Sequence, residues 1–173
     1  ILSEPSNPWV SGVASLFTRE FYQFAHRHLR EGGALVQWLQ TYELSDPVLA
    51  EMVAALLEVF PEVDLYSVNS GDLLIVARRG EHRPLNGEVF NAPVLLEELR
   101  RVGLGSLNDL EERRIGGAAV LRTLVRLTGA QPHTDFHPTV ALKAPQDRFM
   151  QRRARLMYDL VRDGYPVLRV LEC

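Results

Sequence analysis

Three short apolar runs, Ala34 to Leu39, Val63 to Val68 and Asp72 to Ala77, are punctuated by Gly, Pro and Asn, and helical stretches precede the first two. That alternation limits the fold more than any other feature of the chain. In the first helical stretch Phe17, Phe21, Phe24, Ala25 and Leu29 recur at three- and four-residue spacing, which predicts an amphipathic helix with an aromatic buried face. Ser15 reads as its N-cap and Gly32-Gly33 as its stop. In the second, Ser45-Asp46-Pro47 opens a helix from Val48 to Phe60 and Pro61 closes it. The short link Asn69-Ser70-Gly71 favours an antiparallel hairpin between the last two runs.

The opening stretch Ile1 to Trp9 completes the pattern. Two apolar residues pass into a polar loop with Glu4 and Asn7 three apart, stiffened by Pro5, Pro8 and Trp9. This reads as the end of a buried strand, the place where open α/β sheets present ligand-binding groups, and it predicts more sheet upstream. Residues 1–78 therefore read strand, helix, strand, helix, strand, strand. The expected architecture is α/β, with helices over a mostly parallel sheet and an antiparallel strand at one edge. Two helices leave much of one sheet surface bare, to be covered by upstream sequence, a partner chain or the second half of this chain.

Arg78 to Asn91 is polar and turn-rich, a boundary between residues 1–80 and a helical extension over 92–173. There the pattern predicts helices from Pro93 to Val102, Ser106 to Arg114 and Ala118 to Leu127. A loop follows over Gln131 to Pro138, then an extended piece from Thr139 to Leu142. A longer helix runs from Asp147 to Val161, and Tyr165-Pro166 opens a last short helix through Leu171.

Composition narrows the function classes. The chain has 173 residues, 46% hydrophobic and 24% charged, enough for one domain with its own core. A formal charge of -3 gives no global reason to expect nucleic acid as a partner. One cysteine, Cys173, leaves no intrachain disulfide and no Cys-rich zinc site. His133 and His137 bracket Asp135 on a Pro-containing loop with no third strong ligand, so no metal site is read there. No apolar run reaches the about 20 residues that span a bilayer. Arg148, Arg152, Arg153 and Arg155 read as a solvated helix face, with docking of an acidic partner or of phospholipid headgroups as the lesser alternative.

The ordered series Glu4, Asn7, Pro8, Leu16, Phe17, Phe21, Tyr22, Gly32, Gly33 and Gln37 resembles spermidine synthase-like proteins, the polyamine aminopropyltransferase family, and within it the bacterial branch with the loop Ser-Glu-Pro-Ser-Asn-Pro-Trp. The later run from His133 to Pro145 is similar to that branch's Thr-Asp-Asp-x-Pro segment, with Phe136 where the second Asp is usual. The likeness covers residues 1–78 and, more loosely, 92–146. It implies the C-terminal half of a Rossmann-like, methyltransferase-type sheet followed by a helical extension. The implied reaction moves an aminopropyl group from decarboxylated S-adenosylmethionine to a diamine such as putrescine. The implied nucleotide-binding half lies upstream of Ile1, so no cofactor site is expected in this stretch and turnover by it alone is not expected. The resemblance further implies a cytoplasmic location, with attachment to the inner membrane through segments outside this stretch in longer members.

Aminopropyl transfer needs a deprotonated amine held in line with the sulfonium carbon. Carboxylates serve both needs. Glu4 stands at the family's first acidic position and is the expected catalytic residue; Asn7, uncharged, stands at the second. Asn7, Trp9, Gln37, Tyr42 and Asp135 are the expected substrate-binding residues, with Glu43 beside Tyr42. Gln37 sits in an apolar strand, where a polar side chain costs free energy unless paired. Plainer readings stand beside these: Asn7 as a turn residue, Trp9 as packing and Asp135 as a loop cap. Ser6-Asn7-Pro8-Trp9 is also similar to the polar–proline–aromatic loops of adenosylmethionine-dependent amine methyltransferases. A methyltransferase-like scaffold serving only in binding or assembly is a third alternative. An incomplete sheet predicts exposed strand edges and self-association.

Overall fold

The computed structural model describes residues 1–80 and 85–164. The chain enters on β1 (Leu2–Ser3), passes a 3-10 turn (Val13–Phe17) and helix α1 (Arg19–His28), and returns as β2 (Ala34–Gln40) parallel to β1. Thr18, not Ser15, caps α1: its hydroxyl oxygen accepts from the Phe21 amide at 3.2 Å. Ser15 lies inside the 3-10 turn, and its hydroxyl donates to the Gly12 carbonyl. From β2 the helix α2 (Asp46–Leu57) crosses to β3 (Val63–Ser67), and the expected hairpin leads into β4 (Asp72–Arg78), antiparallel to β3.

The sheet is five-stranded and mixed, in the order β1-β2-β4-β3-β5, where β5 is Arg114–Gly117. The antiparallel strand expected at an edge is inside. β4 fills the slot between β2 and β3 and pairs antiparallel with both. Its sequence explains the position. Leu73, Ile75 and Ala77 are completely buried on one face, and a strand this apolar gains more from two bonded neighbours than from an exposed edge.

The second half is not helical throughout. After a short 3-10 turn (Glu88–Asn91) and α3 (Pro93–Arg101), the helix expected from Ser106 to Arg114 stops after one turn, α4 (Leu107–Glu111). The chain then adds β5 antiparallel to β3. The Asp64 carboxylate, 3% exposed, anchors that edge by pairing with Arg114 at 2.9 Å and Arg78 at 3.3 Å. Next come α5 (Ala118–Thr128), α6 (Thr139–Phe149), α7 (Leu156–Asp159) and a π-turn (Leu160–Gly164). The extended piece expected over 139–142 is the first turn of α6.

The helix expected from Asp147 to Val161 is broken near its start. Gln151 adopts a left-handed φ of 50°, the Gln151 amide donates to the Arg148 carbonyl and the Arg152 amide to the Asp147 carbonyl. That pair of bonds is a Schellman stop. Asp147 secures it. Its buried carboxylate accepts from the Ser45 amide at 2.7 Å, the Ser45 hydroxyl at 2.5 Å and Arg152 Nη1 at 3.0 Å. Asp46 in turn accepts from the amides of Arg155 and Leu156, at 2.9 and 2.8 Å, and so caps α7. The helix expected from Tyr165 to Leu171, and Cys173, lie outside the described residues.

One continuous core runs from Ala14 to Met157. Residues Val48 to Leu56 of α2 are all buried, with α2 packed against α5 and α6. Alternation along the strands divides the sheet. Leu35, Gln37 and Leu39 of β2, with Leu73, Ile75 and Ala77 of β4, are buried toward the helices; Val36, Trp38, Leu74 and Val76 face away and are half-buried. Among the described residues, no helix is long and apolar enough to cross a membrane.

Candidate functional site

Because β2 and β3 both run antiparallel to β4, and β1 is parallel to β2, the carboxyl ends of three strands meet at one end of the sheet. Glu4 and Val68 follow their strands directly, and Tyr42 stands two residues beyond β2. On the face away from the helices, a cleft of about 420 Å³ opens at this end. Leu2, Val36, Trp38, Val68 and Leu74 form its apolar lining, and Ser3, Glu4 and Asp72 supply the polar groups.

The two acids are held differently. Glu4 is exposed, and its carboxylate has no hydrogen bond or ion pair among the described residues. Asp72 is built in. Its Oδ2 accepts from Asn69 Nδ2 at 2.6 Å and its amide donates to Asn69 Oδ1 at 2.9 Å, while its Oδ1 is buried without a partner among the described residues. Tyr42 stands at the same strand end, its ring against Gly71, where a Cβ would come within 3.1 Å of Tyr42 Cδ1. Burial first, and then the negative charges of Asp72 and Glu43, raise the Tyr42 hydroxyl above its usual pKa.

Neither Tyr42 nor the remaining expected site residues line the cleft. Gln37 is fully buried on the opposite face of β2 from Trp38; its Nε2 donates to the Trp38 carbonyl at 3.0 Å and the Ser3 carbonyl at 3.4 Å, and its Oε1 has no partner among the described residues. It tethers the strand end from which Glu4 projects. Asn7 is a turn residue: its carbonyl accepts from the Val10 amide at 3.0 Å. The Trp9 ring lies 5.2 Å from the Arg148 guanidinium, and both line a separate hollow with Glu43 and Phe149. Asp135 is exposed, and its amide donates to Glu20 Oε2 at 3.0 Å, beside the start of α1. His133 is buried, with Nε2 3.1 Å from the Ala14 carbonyl. Burial holds its pKa below the usual histidine value.

No family model, no curated protein and no solved structure matches the chain.

The residues themselves therefore carry the chemical reading. Asp72 and Trp38 line the cleft and are not among the residues expected from the sequence. Both read as ordinary strand positions, and only the placement of β4 beside β2 brings Leu74 opposite Trp38 and Asp72 opposite Gln40. The legible signal was a charged residue opening an apolar strand after an Asn-Ser-Gly turn. An apolar trough with an aromatic wall and two carboxylates has the chemistry to accommodate a cation with an aliphatic body. A larger hollow of about 490 Å³ between α2 and α5 contains none of the expected site residues.

Proposed function

We propose that this chain supplies the amine-binding side of a spermidine synthase-like aminopropyltransferase, acting on a diamine with decarboxylated S-adenosylmethionine as donor. The observation that carries the reading is the unpaired Glu4 carboxylate at the carboxyl end of β1, sharing an apolar cleft with Asp72. The parallel unit β1-α1-β2 agrees with a Rossmann-like sheet, whose ligands sit beyond the carboxyl ends of its strands. In this reading Glu4 accepts the proton that the ammonium must lose before it attacks. Asp72, held by Asn69, keeps the other cationic end in place. Trp38 and Leu74 exclude water from the methylene chain between them.

The amine-methyltransferase alternative requires Asn7 and Trp9 to frame the acceptor together, and Trp9 is instead engaged by Arg148 outside the cleft. The assembly-scaffold alternative draws support from the half-buried apolar strip Val36, Trp38, Leu74 and Val76 on the open face.

The test is fluorescence titration of a Trp9→Phe variant, which leaves Trp38 as its one tryptophan, with putrescine. Saturable quenching is expected, with affinity falling at least about tenfold in Glu4→Gln, since a hydrogen bond to a charged group contributes about 1.5–3 kcal/mol. Absence of quenching, or equal affinity in Glu4→Gln, would sink the transferase reading and favour the scaffold.

A further inference from the structure

The chain is acidic overall, with a formal charge of -3, yet residues 141–155 hold Lys143, Arg148, Arg152, Arg153 and Arg155 against one acid, Asp147. Asp147 is itself buried, on the inner side of α6 with Val140 and Ala144. The outer side of the same helix is also apolar. Leu142 is 66% exposed, Phe149 87% and Met150 61%. Scattered exposed apolar residues are ordinary; a phenylalanine and a methionine side by side at a helix end, flanked by Arg148 and Arg152, are not.

The shape separates the possible partners. Phe149 is a ridge between two shallow hollows of about 440 and 470 Å³, one toward Trp9 and Glu43, the other toward Gln146 and Arg152. A partner helix or peptide docks its own anchors into a groove. A projecting apolar tip among cations suits the headgroup–acyl boundary of a lipid layer, where apolar side chains insert and Lys or Arg remain at the charged surface. The cations are placed for that. Arg148 is steered by Glu43 at 3.9 Å and by the Trp9 ring, and Arg152 by Asp147. The exposed side chains of Arg153 and Arg155 have no ion pair among the described residues. The Schellman stop at Gln151 fixes the tip, because the chain turns away immediately after Met150.

We propose that the C-terminal end of α6 and the turn after it form a peripheral membrane contact that binds anionic phospholipid headgroups and inserts Phe149 and Met150. The contact is separate from the cleft at Glu4 and does not depend on the reading of that cleft.

Co-sedimentation with vesicles tests it, comparing phosphatidylglycerol mixed into phosphatidylcholine against phosphatidylcholine alone. Binding to the anionic vesicles is expected, weakened by salt. The double variant Phe149→Ser/Met150→Ser should lose at least about tenfold in partitioning, from the apolar area no longer buried. Its thermal midpoint should stay unchanged, because both side chains are exposed. Arg153→Glu/Arg155→Glu should lose at least about tenfold as well. No binding to anionic vesicles, equal binding to phosphatidylcholine alone, or undiminished binding by the Phe149→Ser/Met150→Ser protein would each overturn the proposal. Binding to polyglutamate without binding to vesicles would overturn it in favour of an acidic protein partner.

Discussion

The two faces of one sheet are built to different standards. Toward the helices, Leu35, Leu65, Leu73, Ile75 and Ala77 are fully buried and share one core with α2, α5 and α6. Away from them, Val36, Trp38, Leu74 and Val76 are only half-buried, and Leu2 at the edge is 84% exposed. Propensity does not distinguish the faces, since both are rich in Leu and Val. Over β2 and β4 the difference is the layer above, close-packed helices on one side and an open cleft on the other, whereas at β3 Tyr66 and Asp64 on that second face are buried. One face supplies cohesion, and the other leaves apolar surface and two carboxylates available for binding.

Neighbouring leucines on β4 sharpen that contrast most. Leu73→Ala should destabilise the chain by about 3 kcal/mol, the usual cost of a cavity in a packed core. Leu74→Ala, one position along and on the other face, should cost about 1 kcal/mol or less, because its side chain is only half-buried. Urea denaturation at several protein concentrations measures both. Equal losses would mean that the open face is covered in solution, and a concentration-dependent loss for Leu74→Ala would identify a second copy as the cover.

A substitution that the open face should tolerate comes next. Exposed apolar strand surface favours self-association, so light scattering of the unmodified chain should show species larger than a monomer. Leu74→Lys should shift it toward the monomer by severalfold in dissociation constant. A monomer at every concentration for the unmodified chain would break this expectation.

The alternation of strand and helix over residues 1–78 was legible because each segment from α1 onward is long enough for its period to show, while the two-residue β1 was read from the loop after it. The hairpin was legible because Asn69-Ser70-Gly71 is too short for any other connection. The interior place of β4 was not, because pairing order depends on where α2 delivers β3, and no local pattern records that. Arg114-Ile115-Gly116-Gly117 lacks strand propensity, and it is a strand because β3 offers an open edge and Asp64 a buried carboxylate. The break after Phe149 was hidden for a similar reason, since Gln151 has no intrinsic liking for a left-handed φ and Asp147 is held by Ser45, 102 residues earlier. The place of Glu4 at a strand end and on the rim of the cleft was readable. The places of Asp72 and Trp38 needed the sheet, and Gln37 and Trp9 lie outside the cleft because strand sidedness and the approach of Arg148 are tertiary facts.

The smallest expected effect concerns acidity on the covered side. Burial lowers the pKa of His133 in the folded chain, so below about pH 6.5 the unfolded chain binds a proton that the folded chain resists. This group therefore removes stability as pH falls through 6.5 toward its depressed folded value and is silent above that range. His133→Gln should flatten the slope of stability against pH in that window, as read by urea midpoints. An unchanged slope would mean that His133 does not titrate with unfolding.

The interior position of β4 also sets an order of assembly. While the chain is synthesised, β2 and β3 emerge first, yet they never touch in the finished sheet; the space between them is one strand wide, about 10 Å between their axes. β4 must leave the ribosome, fold back on β3 and enter that space before β2 gains its second neighbour. The hairpin is a local event of microseconds, whereas its docking against β2 closes a loop of some thirty residues and is the slower step. A nascent chain stalled before Asp72 would expose the bonding edges of both strands to any other extended chain nearby.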